Sequence, residues 1–189
     1  MWKRFSDWLR HISSGWLTLT ALLVFLTFST LVLPRQATSS ETNTADAGTP
    51  DLSFYYSSSD LYRMAEAYGE AGREAYIRVR FTFDLLWPLV YTFFLTTAIS
   101  WLYAKTFFAD SRWQLANLVP LLGMLFDYME NISTSLVMFR YPGRTPVVDW
   151  LAPLFTSLKW ILITGSFVLL SIGLMVTLWE WINRGSNKR

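Results

Sequence analysis

Between Leu118 and Phe139 an apolar run is interrupted near its middle by Asp127-Tyr128-Met129-Glu130-Asn131. No other stretch restricts the fold as strongly. An ionised side chain at the depth of lipid tails costs several kcal/mol, so such groups turn toward partners or water rather than lipid. A run that carries two carboxylates and an amide therefore requires companion helices to enclose it.

The chain has the composition to supply them. Of its 189 residues 52% are hydrophobic and 17% aromatic, which is too apolar for an ordinary soluble domain and indicates one integral membrane domain. The net charge of +2 comes without a clustered Lys/Arg face, which argues against a nucleic-acid partner. Cysteine is absent, removing disulfide frameworks, thiol redox pairs, structural zinc and Cys-ligated clusters. His11 is the only histidine and lies outside every apolar run, so a bis-His haem within the bilayer is excluded.

The periodicity predicts an all-α bundle of four transmembrane helices with an additional amphipathic helix on the extracytoplasmic side. Residues 1–15 place Trp2, Phe5, Trp8, Leu9 and Ile12 at helical spacing among Lys3, Arg4, Asp7, Arg10 and His11, as in an amphipathic helix lying in the interface. A frayed basic tail is the alternative. Residues 16–33 form the first span; at about 18 uncharged residues the run exceeds the roughly 7–15 of a signal-peptide core, and Ala37-Thr38-Ser39 is not read as a cleavage site.

Residues 34–80 are read as an outer loop, a solvated linker rich in Ser, Thr, Asn and Gly that ends in an amphipathic helix from Leu61 to Val79. Gly69 and Gly72 weaken the continuity of that helix. The second span covers 81–108, with Pro88 expected to kink it. The third covers 113–139, the loop 140–149 is rich in Pro and Gly, and the fourth span covers 150–183 before a short tail, 184–189. Lys3, Arg4, Arg10, Lys105, Arg112, Arg184, Lys188 and Arg189 fall on one side, which assigns both termini to the cytoplasm and the protein to the plasma (inner) membrane.

With that topology, a rise of about 1.5 Å per residue puts several polar residues in one layer. Asn131, Glu130 and Asp127 lie about 12, 14 and 18 Å below Phe139; Lys159 lies about 14 Å below Trp150, and Tyr91 about 15 Å below Phe81. Asp84, Pro88 and Tyr91 share one face of the second span, and Asp127, Asn131 and Thr134 share one face of the third. Lys159 is predicted to pair with Glu130 or Asp127.

Asp84, Asp127 and Glu130 outnumber Lys159, so the layer must be neutralised by protons, by a bound cation, or by an arginine reaching in from Arg73, Arg78, Arg80 or Arg140. The arginine route is favoured because basic residues crowd the outer mouth. The same four arginines are candidate contacts for an anion or a lipid headgroup.

Three functions fit these residues. The first is a site in which Asp84, Tyr91, Asp127, Glu130, Asn131 and Lys159 bind a small ligand, a lipid headgroup, or a proton or cation. The second is an accessory subunit for another membrane protein, its buried charges only fixing helix packing. The third is a small lipid- or isoprenoid-modifying enzyme using the paired carboxylates as acid and base. Asp127-x-x-Glu130-Asn131 lacks the second acidic motif that a metal–diphosphate site of such transferases carries. No Ser-His-Asp set, phosphate loop or dinucleotide fingerprint is present, so no catalytic residue, metal or cofactor is expected. The expected partners are the bilayer, a small ligand or lipid, or a membrane protein.

Overall fold

The computed structural model describes residues 1–34 and 48–186; Arg35, the Ala37-Thr38-Ser39 run, Lys188 and Arg189 lie outside the described residues, as does the side chain of Arg184. Among the described residues the fold is helical throughout, with seven α-helices: α1 Trp2–Ile12, α2 Gly15–Thr27, α3 Ser58–Ala67, α4 Gly69–Arg80, α5 Phe83–Thr106, α6 Val119–Arg140 and α7 Val148–Ser186. Three helical stretches, Gly15–Val32, Gly69–Thr106 and Val148–Asn183, are long and apolar enough to cross a membrane. The helix α6 is not among them, because Asp127, Glu130, Asn131 and the run Ser133-Thr134-Ser135 dilute its apolar content.

At the first end of the bundle, α1 is a docked helix and not a frayed tail. Its Ser6 is fully buried, and the hydroxyl lies 2.9 Å from both the Gln114 carbonyl and Asn117 Oδ1, which share its one proton. Asn117 Nδ2 in turn donates to the Ser6 carbonyl at 3.2 Å and to Ser100 Oγ at 2.9 Å. Buried hydrogen bonds joined in this way polarise and strengthen one another. The aromatic residues Trp2, Phe5 and Trp8 remain exposed. Ser14 then caps α2 by accepting from the Leu17 amide, and α2 continues through a π-helical turn at Phe28–Val32.

The helix α2 touches the bundle mainly through α5: Phe25 stacks on Trp87 and Phe94 with ring centroids 5.7 and 5.0 Å apart, and Ala21 is fully buried. The predicted helix over 61–79 is divided at Gly69, whose φ of +63° is a left-handed conformation that glycine adopts without steric penalty. Ser57 and Asp60 form a reciprocal capping box at the start of α3.

In the stretch read as the third span, the α-helix begins later than residue 113. Arg112–Leu118 is a 3-10 segment, and the α-helix starts at Val119 with Pro120 in its first turn, where the missing amide proton costs no helical hydrogen bond. Its polar face packs against α5 and most extensively against α7. The last helix is longer than the predicted 150–183, starting at Val148 and ending at Ser186. Gly173 permits its approach to α5: a Cβ there would stand 2.8 Å from the Tyr103 ring, and the Tyr103 hydroxyl donates to the Leu169 carbonyl at 2.9 Å.

Candidate functional site

The second end of the bundle carries α3, α4 and the 141–147 loop, and the polar layer lies beneath them. Arg80 closes α4, and only Phe81 and Thr82 separate it from α5, so Arg80 and Asp84 meet across a continuing helical turn at 2.6 Å (Nη1 to Oδ2). Two turns further along α5, Tyr91 donates its hydroxyl to Asp127 Oδ2 at 2.9 Å, and Asn131 Nδ2 approaches Asp127 Oδ1 at 3.4 Å. From α7, Lys159 pairs with Glu130 rather than with Asp127. All six residues predicted for the layer are buried, Glu130 completely.

A residue that sequence reasoning missed joins these pairs. Asp51 forms an ion pair with Arg80, and its second carboxylate oxygen lies 3.6 Å from Lys159 Nζ. The result is an alternating chain of charge, Asp84–Arg80–Asp51–Lys159–Glu130. Asp51 belongs to the segment read as solvated linker, whose described residues from Gly48 onward lie as a strap across the bundle. The Tyr68 hydroxyl donates to the Gly48 carbonyl at 2.6 Å, Trp160 Nε1 to the Asp51 carbonyl at 3.2 Å, and Ser157 Oγ to the Phe54 carbonyl at 3.1 Å. Tyr56, 3% exposed, shares a hydrogen bond with Thr156 at 3.0 Å. The available signal was Phe54-Tyr55-Tyr56, the one aromatic cluster in that polar stretch, beginning three residues after Asp51.

Of the four arginines considered for the mouth, only Arg80 enters the layer, where it lies over the Tyr76 ring with its guanidinium carbon 4.4 Å from the centroid. Arg73 donates to the Ala65 carbonyl at 3.0 Å and lies over Tyr141, while Arg78 and Arg140 are exposed.

Arg80 does not remove the charge imbalance, because it arrives with Asp51. Four carboxyls (Asp51, Asp84, Asp127, Glu130) face two cations (Arg80, Lys159), so full ionisation leaves two negative charges uncompensated in a buried site. Burying unpaired charge is among the most expensive things a fold can do. Within the layer, Glu130 Oε1, Asn131 Oδ1 and Arg80 Nε are buried without a hydrogen-bond partner. Among the described residues no three His, Cys, Asp or Glu side chains converge as a metal site would need.

The arrangement can hold protons on its carboxyls, accept a hydrogen-bond donor at Glu130 and Asn131, and present two cations to an anion. Comparison with family models, with curated proteins and with solved structures finds no match, so the chemistry of this layer rests on its own geometry.

Proposed function

We propose that the protein is a multi-pass membrane protein whose buried layer takes up protons or a small cation. In this reading α2, α5, α6 and α7 cross the bilayer, with α6 enclosed by its neighbours and both termini cytoplasmic. The basic residues Lys3, Arg4, Arg10, Lys105 and Arg112 near the α1 end support that orientation. One observation carries the functional reading: three buried carboxyls and the half-buried Asp51 face only two cations, with Glu130 Oε1 left unpartnered. A neutralising species is required by this arithmetic, and protons on the carboxyls are the smallest one.

Infrared difference spectroscopy of the purified protein, between alkaline and acidic buffer, tests it. A protonated-carboxyl band that changes in Glu130→Gln and in Asp127→Asn is the expected result. Suppression of that band by sodium or an organic amine identifies the cation alternative. No such band at any pH where the fold persists overturns the proposal.

A second reading is favoured by the directness of the Lys159–Glu130 and Arg80–Asp84 pairs: the layer fixes helix packing in an accessory subunit. It expects Lys159→Met with Glu130→Gln to restore the stability lost in either single variant and to leave the carboxyl spectrum without a titrating band.

A further inference from the structure

Two cations that are both more than nine-tenths buried, Arg80 and Lys159, converge from distant parts of the chain on one carboxylate. Like charges repel strongly where water is excluded, so their convergence requires an anion between them. In this structure the chain supplies that anion from the strap.

The carboxylate fits the space imperfectly. Asp51 Oδ2 engages Arg80, but Oδ1 stands 3.6 Å from Lys159 Nζ, beyond hydrogen-bonding distance. Arg80 Nε is buried and has no acceptor. A planar carboxylate offers two oxygens to what are at least three donor positions: Nε and Nη2 of Arg80 and Nζ of Lys159. A tetrahedral phosphate, with more oxygens spread over a larger radius, meets the guanidinium edge bidentately and still reaches the ammonium. The stacked Tyr76 ring fixes the plane of the guanidinium.

The exchange also balances in charge. Asp84 and Glu130 remain on the far sides of the two cations, so a singly charged phosphate replaces one negative charge with another. The strap is attached through side-chain-to-backbone hydrogen bonds and through the buried Pro50 and Tyr56, and its release unwinds none of the helices α4 to α7.

We propose that Arg80 and Lys159 form a phosphate-binding site that Asp51 occupies as a tethered substitute until a phosphate group displaces the strap. The inference goes beyond proton or cation uptake and does not depend on it. The phosphate belongs either to a phospholipid headgroup or to a small soluble compound, two sources of the same recognition chemistry.

The test uses the full chain, delipidated in detergent, with two probes: inorganic phosphate followed by phosphorus NMR, and phosphatidylglycerol followed by native mass spectrometry against a phosphate-free glycolipid. Removing a tethered competitor in Asp51→Ala raises affinity by about tenfold or more. Adding Lys159→Met or Arg80→Met to Asp51→Ala abolishes the gain. Binding of inorganic phosphate identifies a soluble ligand; retention of phosphatidylglycerol alone identifies the headgroup. Equal binding by wild type and Asp51→Ala, binding that survives Lys159→Met, or binding of neither probe overturns the proposal.

Hydrogen exchange on the wild-type protein keeps the proposal testable if Asp51→Ala does not fold. Saturating phosphate or phosphatidylglycerol accelerates exchange at residues 49–57 as the strap lifts, and unchanged exchange with both probes overturns it.

Discussion

Lys159 pairs with the fully buried Glu130, so its removal strands that carboxylate, while Asp51 keeps Arg80. Deleting one member of a buried ion pair typically costs about 3–5 kcal/mol, because the remaining charge stays desolvated. Lys159→Met is therefore expected to lower the midpoint of thermal unfolding in detergent by much more than Tyr91→Phe, which removes one hydroxyl from Asp127. At the exposed start of α3 the electrostatics run the other way. Hydrogen bonds from the Ser57 amide and hydroxyl, together with Arg63, hold the Asp60 carboxyl below the usual carboxylate range. The stabilisation is complete above the ordinary carboxylate value and disappears as pH falls through the lower folded value. Amide exchange at residues 58–61 should accelerate over that acidic interval, and Asp60→Asn should make the exchange independent of it. Pairing of Lys159 with either Glu130 or Asp127 was legible in the sequence because all three residues sit on helices with a fixed rise and phase, but the choice of Glu130 was not. Asp51 was not, since a strap without periodicity offers no way to compute where a side chain ends.

The helices were legible to within a few residues wherever apolar spacing was long and unbroken, and their ends moved where a backbone-specific residue intervened. Pro120 delays α6 and Gly69 separates α3 from α4, both for reasons local to one residue. The start of α7 is set less favourably. Val147 has φ of +76°, a left-handed conformation that disfavours β-branched side chains, while its carbonyl accepts from the Trp150 and Leu151 amides. Val147→Asn is expected to stabilise the fold by about 1 kcal/mol, read as a rise in the unfolding midpoint. Gly173→Ala should do the opposite. Its Cβ would overlap the Tyr103 ring, and Tyr103 is held by its bond to Leu169, so overpacking costs about 1–3 kcal/mol and loosens α5 from α7. Cross-linking between cysteines placed at residues 106 and 177, whose threonine hydroxyls lie 3.1 Å apart, should fall in yield accordingly.

At the scale of the molecule, polar groups gather at both ends of one apolar bundle and do different work. The Ser6–Asn117–Ser100 clasp has no net charge and leaves an aromatic surface facing outward, which suits a helix resting in a lipid interface. The layer beneath the strap is charged, unbalanced and enclosed. A consequence follows for how the chain is assembled in a membrane, on the proposed topology. As it leaves the ribosome, α6 is too polar to partition into lipid unaided, and the lysine that neutralises Glu130 is encoded only in the following helix. Membrane integration of α6 is thus conditional on synthesis of α7. A nascent chain halted within the 141–147 loop would expose α6 to extraction and degradation, which gives the cell a means of removing incomplete copies.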